Sequence, residues 1–317
     1  MTPFAHRQLG ASGVEVSVLA LGSWQTYERI PRETGAAVLA RARECGIDFL
    51  EVARYNDQTG TAPLKTGYSE VVFGEIFRAS GWPRDDVVIA NKLWWEFWPA
   101  QSAAQELDAS LGRTGLDHFD FVYSDPPPAA LPMEEVVAAV ADLVTSGKVR
   151  AWGIVNWPAD RIEEAGRVAA AQGVPGPCAA QLVYGLVRRS VVEEPEMATA
   201  LRSCGASVVS SWALAGGVLT GKYATPGASG RYAGALDAPR VQPALRAVER
   251  LRAMATELGT TPAALAIGFA LANPVVATVL CGATRPEQVA ENVRALDVLG
   301  RLDERRLAEL AEIGGEE

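Results

Sequence analysis

Eight short runs of β-branched and apolar residues recur along this chain, with helix-patterned segments between them. That alternation constrains the fold more than any other feature. The runs are V-S-V-L-A-L-G (16–22), D-F-L-E-V-A (48–53), V-V-I-A-N-K-L (87–93), F-D-F-V-Y-S (119–124), V-R-A-W-G-I-V-N (149–156), A-A-Q-L-V-Y (179–184), A-S-V-V-S-S-W (206–212) and V-A-T-V-L-C-G (276–282). Such near-continuous apolar runs suit strands buried on both faces of a parallel sheet. Segments 34–45, 69–79, 103–111, 133–145, 161–171 and 286–298 carry helical spacing, and Pro286 opens the last as a first-turn proline does. Eight such units over about 250 residues predict a (β/α)8 or TIM barrel. A doubly wound sheet alternates similarly, but no G-x-G-x-x-G follows an early strand. No repeat or low-complexity linker marks a second domain, so residues 1–317 read as a single barrel. One long irregular stretch, about 222–242 after the seventh run, has the Gly, Ala and Pro content of a lid or binding loop.

Composition narrows the function. A net charge of −9 and no basic stripe argue against a nucleic-acid surface. No apolar segment reaches the ~18–20 residues of a membrane span, and the first residues, M-T-P-F-A-H-R-Q, lack a signal core. A cytoplasmic protein acting on a small molecule is expected, with no membrane contact and no oligomeric state assigned. Cys45, Cys178, Cys204 and Cys281 are widely spaced, as buried thiols of a reducing compartment would be, and no metal is expected.

In a barrel of this kind the active site lies at the C-terminal ends of the strands. Here those ends carry Gly22-Ser23-Trp24, Glu51 to Asn56, Asn91 to Trp95, Tyr123-Ser124-Asp125, Val155-Asn156-Trp157, Gln181 to Tyr184, Ser211-Trp212 and Gly282 to Arg285. Lys92, one of four lysines, ends an apolar strand and needs a partner, and Glu51 on the neighbouring strand supplies one. Taken alone, that pair can also be read as a structural brace of the barrel.

These segments resemble the aldo-keto reductases over almost the whole length. The resemblance is carried by G-K-V-R-A-W-G-I-V-N (147–156), L-A-G-G-V-L-T-G-K-Y (214–223) and C-G-A-T-R-P-E-Q-V-A-E-N (281–292). It implies a (β/α)8 barrel that binds NADP(H) and reduces carbonyls reversibly. Gly282, Thr284 and Arg285 then fall at the adenosine 2′-phosphate, with Gln288, Glu291 and Asn292 near the adenine. An arginine fork at a helix N-terminus suits a phosphate dianion. Leu214, Gly216 and Lys222 fall along the pyrophosphate. Asn156 and Gln181 fall on the nicotinamide carboxamide, while Val155 replaces a customary serine. That one lost hydrogen bond costs about 1 kcal/mol. Ser211 falls where the family places a ring-stacking tyrosine, and Trp212 where it places a phosphate-binding serine. Trp212 either stacks on the nicotinamide after a local shift or serves as a core aromatic.

The family's catalytic aspartate, tyrosine, lysine and histidine fall on Glu51, Asn56, Lys92 and Asp125. Only the lysine is unchanged. An amide is no acid near neutral pH, so Asn56 can orient substrate but not protonate it. Four groups remain as proton donors. They are Tyr55, through a one-residue slip in its loop, Tyr123, Lys92, and Asp125, whose carboxyl an apolar site would keep protonated. Asp125 is the sharpest of these, so Asp125→Asn is expected to harm turnover more than Tyr55→Phe. His6 and His118 read as surface residues. Trp94, Trp95, Phe97 and Trp98 follow Lys92 directly, and with Trp24 and Trp157 they predict a wide, flat, apolar pocket. Three functions follow. The first is an atypical NADP(H)-dependent oxidoreductase acting on a carbonyl or conjugated C=C of a bulky, ringed metabolite. The second is an NADP(H)-binding barrel doing redox-neutral elimination, cyclisation or epimerisation. The third is a non-catalytic NADP(H) sensor or partner subunit, since reductase-like subunits of ion channels exist in the family.

Overall fold

The computed structural model describes residues 5–225, 227, 228 and 230–315. The chain first forms a hairpin, β1 (His6–Gln8) against β2 (Glu15–Ser17), antiparallel with His6 opposite Ser17. Eight parallel strands then close into a barrel. They are β3 (Leu19–Gly22), β4 (Phe49–Glu51), β5 (Val88–Leu93), β6 (Phe121–Ser124), β7 (Ala151–Val155), β8 (Ala179–Val183), β9 (Ser207–Ser211) and β10 (Val276–Cys281), with β10 pairing back onto β3. All eight predicted runs supply a barrel strand.

The first run differs from its prediction. Residues 16–22 make two strands, because Ser17 is clamped at the turn: its amide donates to Asp48 Oδ1 (2.9 Å) and its hydroxyl to the Leu19 carbonyl (2.6 Å). The hairpin closes the N-terminal end of the barrel, with Leu9, Val14 and Val16 joining Ala20, Phe49, Phe121 and Tyr123 in an inner core. Side chains on the opposite strand faces, such as Leu19, Leu21, Leu50 and Ile89, pack under the helices in a second, larger core.

Helices α1 (Arg32–Glu44), α2 (Tyr68–Ser80), α3 (Ala103–Thr114), α4 (Met133–Thr145) and α5 (Ala159–Gln172) follow β3 to β7 in turn. After β8 come α6 (Ser190–Glu193) and α7 (Pro195–Ser203), divided where Pro195 offers no amide to continue the first. Helices α8 (Gln242–Glu257) and α9 (Pro262–Ala272) lie between β9 and β10. The segment predicted as one helix over 286–298 is α10 (Pro286–Val293) and α11 (Ala295–Leu299), which part at Arg294. Helix α12 (Glu304–Gly314) ends the described chain. No single helix among the described residues is long and apolar enough to cross a membrane.

Among its described residues, the stretch from 222 forms short turns at Lys222–Ala224 and Pro239–Val241, and its Arg231 reaches back to Trp24 beyond β3. Its Tyr232 is buried against Gly216, where a Cβ would lie 2.3 Å from the tyrosine ring.

Candidate active site

Strand pairing puts Glu51 opposite Ala90, so Lys92, two residues on, projects from the same face of the next strand. The Lys92 ammonium lies 2.9 Å from Glu51 Oε2. It also donates to the Tyr55 hydroxyl (2.9 Å), which in turn donates to Glu51 Oε1 (2.5 Å). Gln181 Nε2 donates to Glu51 Oε2 (2.5 Å) from β8. In the ring order β10-β3-β4-β5-β6-β7-β8-β9, β4 and β8 face each other across the lumen, so this last bond spans the barrel. All four side chains are buried.

This corrects the sequence alignment by one residue. Asn56 is exposed, and its backbone only bridges Thr66. Tyr55 takes the inward place because its amide donates to the Ala53 carbonyl two residues back (2.8 Å). That three-residue turn shortens the path from the strand end, and the Ser69 hydroxyl holds it by donating to the same carbonyl (2.7 Å).

Electrostatics follow from burial and these contacts. Burial drives the Glu51 carboxyl up, but the Lys92 charge and the bonds from Gln181, Tyr55 and Lys92 outweigh it, leaving Glu51 below the usual carboxylate range. Tyr55 is pushed well above the usual phenol value, first by burial and then by the Glu51 charge. The hub therefore holds a carboxylate and a protonated phenol side by side. Asp125 follows β6, its amide donating to the Leu93 carbonyl (2.9 Å). Its half-buried carboxyl is raised by desolvation, which outweighs the Lys92 charge. Tyr123 points into the inner core, where burial raises its hydroxyl far above the usual value. His6 pairs with Asp48 (2.6 Å) at the N-terminal end of the barrel, and the His118 carbonyl accepts from Arg84 there.

The predicted aromatic wall divides. Trp94 meets the Tyr55 ring edge-to-face at 5.7 Å. Trp98 is half-buried, while Phe97 and Trp24 stand 47 % and 44 % exposed at the rim. Trp95 and Trp157 are buried in the outer core instead of lining the mouth. The reason at Trp95 is backbone: Glu106 accepts from the Trp94 and Trp95 amides (2.8 and 3.1 Å), Trp95 adopts φ +59°, and its indole turns to donate to Ser124 Oγ (2.9 Å).

On the cofactor side, Lys222 is depressed below the usual lysine range by burial and then by the charges of Arg231 and Arg285. These three cations lie near enough to repel one another, and such a cluster suits the phosphates of a nicotinamide dinucleotide. Arg285 precedes α10, and Thr284 donates from its amide to Gln288 Oε1 (2.7 Å). Glu291 is exposed, and Asn292 is buried. Gly216 adopts φ +63° beneath Tyr232, Leu214 is half-buried beside it, and Gly282 is exposed at the end of β10. Asn156, at φ +51°, stands exposed at the rim. Ser211 Oγ donates to the Leu182 carbonyl (3.0 Å), and Trp212, at φ +62°, packs half-buried against the outer core.

Sequence reasoning missed Arg54, Glu106 and Arg231. Arg54 had a visible signal, since an arginine interrupts the apolar run E-V-A-R-Y. Arg231 had none: it stacks 4.3 Å over the Trp24 ring and donates to the Trp24 carbonyl (3.1 Å), a contact between segments 207 residues apart.

Comparison with known proteins agrees with the barrel fold. A model of the aldo/keto reductase family matches residues 18–314. A probable voltage-gated potassium channel subunit beta of Oryza sativa subsp. japonica is 33 % identical over 309 residues, covering 93 % of this chain and 92 % of its own. A protein of the same description from Arabidopsis thaliana is 32 % identical with the same coverage. A putative subunit of that kind from Schizosaccharomyces pombe is 32 % identical over 327 residues, covering 97 % of this chain and 92 % of its own.

Proposed function

The chain belongs to the aldo/keto reductase family, and from that premise we propose that it is an NADP(H)-dependent reductase of a flat, ringed carbonyl or enone compound. The single observation carrying this reading is the Tyr55–Lys92–Glu51 hub, a protonated phenol hydrogen-bonded to an ammonium at the strand ends. NADPH, when bound, supplies the hydride. Lys222, Arg231 and Arg285 would hold its phosphates. The family resemblance assigns Asn156 and Gln181 to the cofactor's carboxamide, and Gln181 also braces Glu51 through its amide nitrogen.

A carbonyl reduced by hydride becomes an alkoxide, which needs a proton. Tyr55 is the group to give it, its O–H turning from Glu51 to the alkoxide, since the Lys92 ammonium beside its oxygen stabilises the phenolate left behind. Asp125 keeps its proton to higher pH than an exposed aspartate and can donate a hydrogen bond to the substrate oxygen. Trp94 and Phe97 form an apolar wall beside Tyr55. Redox-neutral elimination or epimerisation is less well supported, because a carboxylate held below its usual range by three partners is a weak base. A second reading, a cofactor-binding subunit of a larger assembly, is favoured by what the relatives are called.

Titration of the tryptophan fluorescence with NADPH and NADH, beside NADPH consumption with aromatic aldehydes, quinones and enones, tests the proposal. Preferential NADPH binding with turnover supports the reductase. Binding without turnover on the whole panel leaves the subunit reading, and equal binding of both cofactors refutes the phosphate assignment.

A further inference from the structure

Arg54 stands between Glu51 and Tyr55 in sequence, yet it takes no part in the hub. It is 4 % exposed, and its guanidinium is spread over three segments of the rim. Nη1 donates to Thr66 Oγ1 (2.9 Å), in the chain that returns from the strand-end loop to α2. Nη2 donates to Glu96 Oε2 (2.7 Å), and Nε lies 3.9 Å from Glu106 Oε1. The same guanidinium sits 5.1 Å from the Phe97 ring centre and 5.9 Å from that of Trp94. Glu106 in turn fixes the amides of Trp94 and Trp95. Cation and carboxylate therefore grip the aromatic segment from its ring side and its backbone side.

A buried arginine with a hydrogen-bonded fork and two ring contacts imposes geometry that a lysine cannot reproduce. What it fixes is the placement of Trp94, whose ring touches the Tyr55 ring, and of Phe97, which remains half open at the mouth. We propose that Arg54 is a positioning residue that sets substrate specificity, holding the Trp94 and Phe97 rings as a rigid wall that receives a flat aromatic substrate against Tyr55. The proposal rests on the reductase reading for the site's chemistry, but its binding step stands apart from turnover.

The test compares two vicinal diketones of different size, 9,10-phenanthrenequinone and 2,3-butanedione, on the NADP+-saturated protein. Dissociation constants are read from tryptophan quenching, and KM and kcat from NADPH consumption. Arg54→Met should weaken phenanthrenequinone binding by about tenfold, raise its KM in proportion, and leave butanedione and NADPH affinities unchanged. Arg54→Lys should not restore the loss. Glu96→Gln, a change at an exposed side chain, should give a smaller loss of the same kind and keeps the test alive if Arg54→Met does not fold. A wild-type protein that does not bind phenanthrenequinone overturns the proposal, as does an equal weakening of both diketones. Tight, Arg54-dependent binding with no turnover refutes the reductase reading and leaves this one standing.

Discussion

Replacing Glu51 by aspartate, the residue the family uses, should move the pH dependence of reduction. The shorter side chain can keep its pair with Lys92 on the neighbouring strand, but its carboxylate retreats by about 1.5 Å, one bond length, from the Tyr55 hydroxyl, which it now accepts from at 2.5 Å. A hydrogen bond to a charged group contributes about 1.5–3 kcal/mol. At 1.36 kcal/mol per pH unit, its loss lowers the Tyr55 pKa by about 1–2 units. Tyr55 is raised by burial first and by Glu51 second, so the burial contribution remains. The sign is fixed by the chemistry: reduction needs the protonated phenol, and rate falls as pH rises through its pKa. Above the step at which Asp125 ionises, the alkaline fall of kcat/KM should therefore come about 1–2 units earlier in Glu51→Asp than in the wild type. Steady-state rates with saturating NADPH from pH 6 to 11 would show it. Thermal unfolding alongside separates a shifted pKa from a damaged barrel, since the bond from Gln181 is lost too. An unmoved limb, or one moved upward, refutes Tyr55 as the proton donor under Glu51's influence.

Tyr55→Phe should cut kcat by about 10²–10⁴-fold while leaving NADPH affinity within twofold, the scale of a lost general acid; this reverses the order expected from sequence, where Asp125 was the sharper donor. Asp125→Asn should cost about tenfold, and it should abolish the step in the wild-type profile at which the raised Asp125 carboxyl ionises, activity there falling with rising pH. Arg285→Ala should raise the NADPH dissociation constant by about 10–100-fold and leave that of NADH alone, as read by the same fluorescence titration. Gly216→Ala should lower stability by about 1–3 kcal/mol in a denaturant melt, because φ +63° and the Tyr232 ring both oppose a Cβ.

The strands were legible because a strand buried on both faces can only be an apolar run, and all eight runs were of that kind. Helix α9 was not, because P-A-A-L-A-I-G-F-A-L-A is apolar all round and carries no amphipathic period. The split at Ser17 and the break at Arg294 depend on hydrogen bonds that a pattern of residue types does not encode. In the site, Glu51 and Lys92 followed from adjacent strand ends. The tyrosine was misplaced by one residue because the turn at Ala53 is a matter of backbone angles. Trp95 and Trp157 were assigned to the mouth by composition, and the direction of a ring is set by its backbone: a positive φ took Trp95 inward. Arg54 was visible as an oddity in an apolar run, but its partners at 96 and 97 lie on another strand's loop and that at 106 on the helix after it.

The bond from Gln181 to Glu51 joins the two strands farthest apart around the ring. The carboxylate that holds the Tyr55 hydroxyl is therefore also a strut across the mouth of the cylinder, and the roundness of the scaffold and the aim of the phenol become one mechanical quantity. An aspartate is too short to do both, so the glutamate fixes a particular diameter as well as a particular chemistry. Any substitution that ovalises the barrel, even on the helical side of β4 or β8, should then register first as a loss of turnover and only later as a loss of fold.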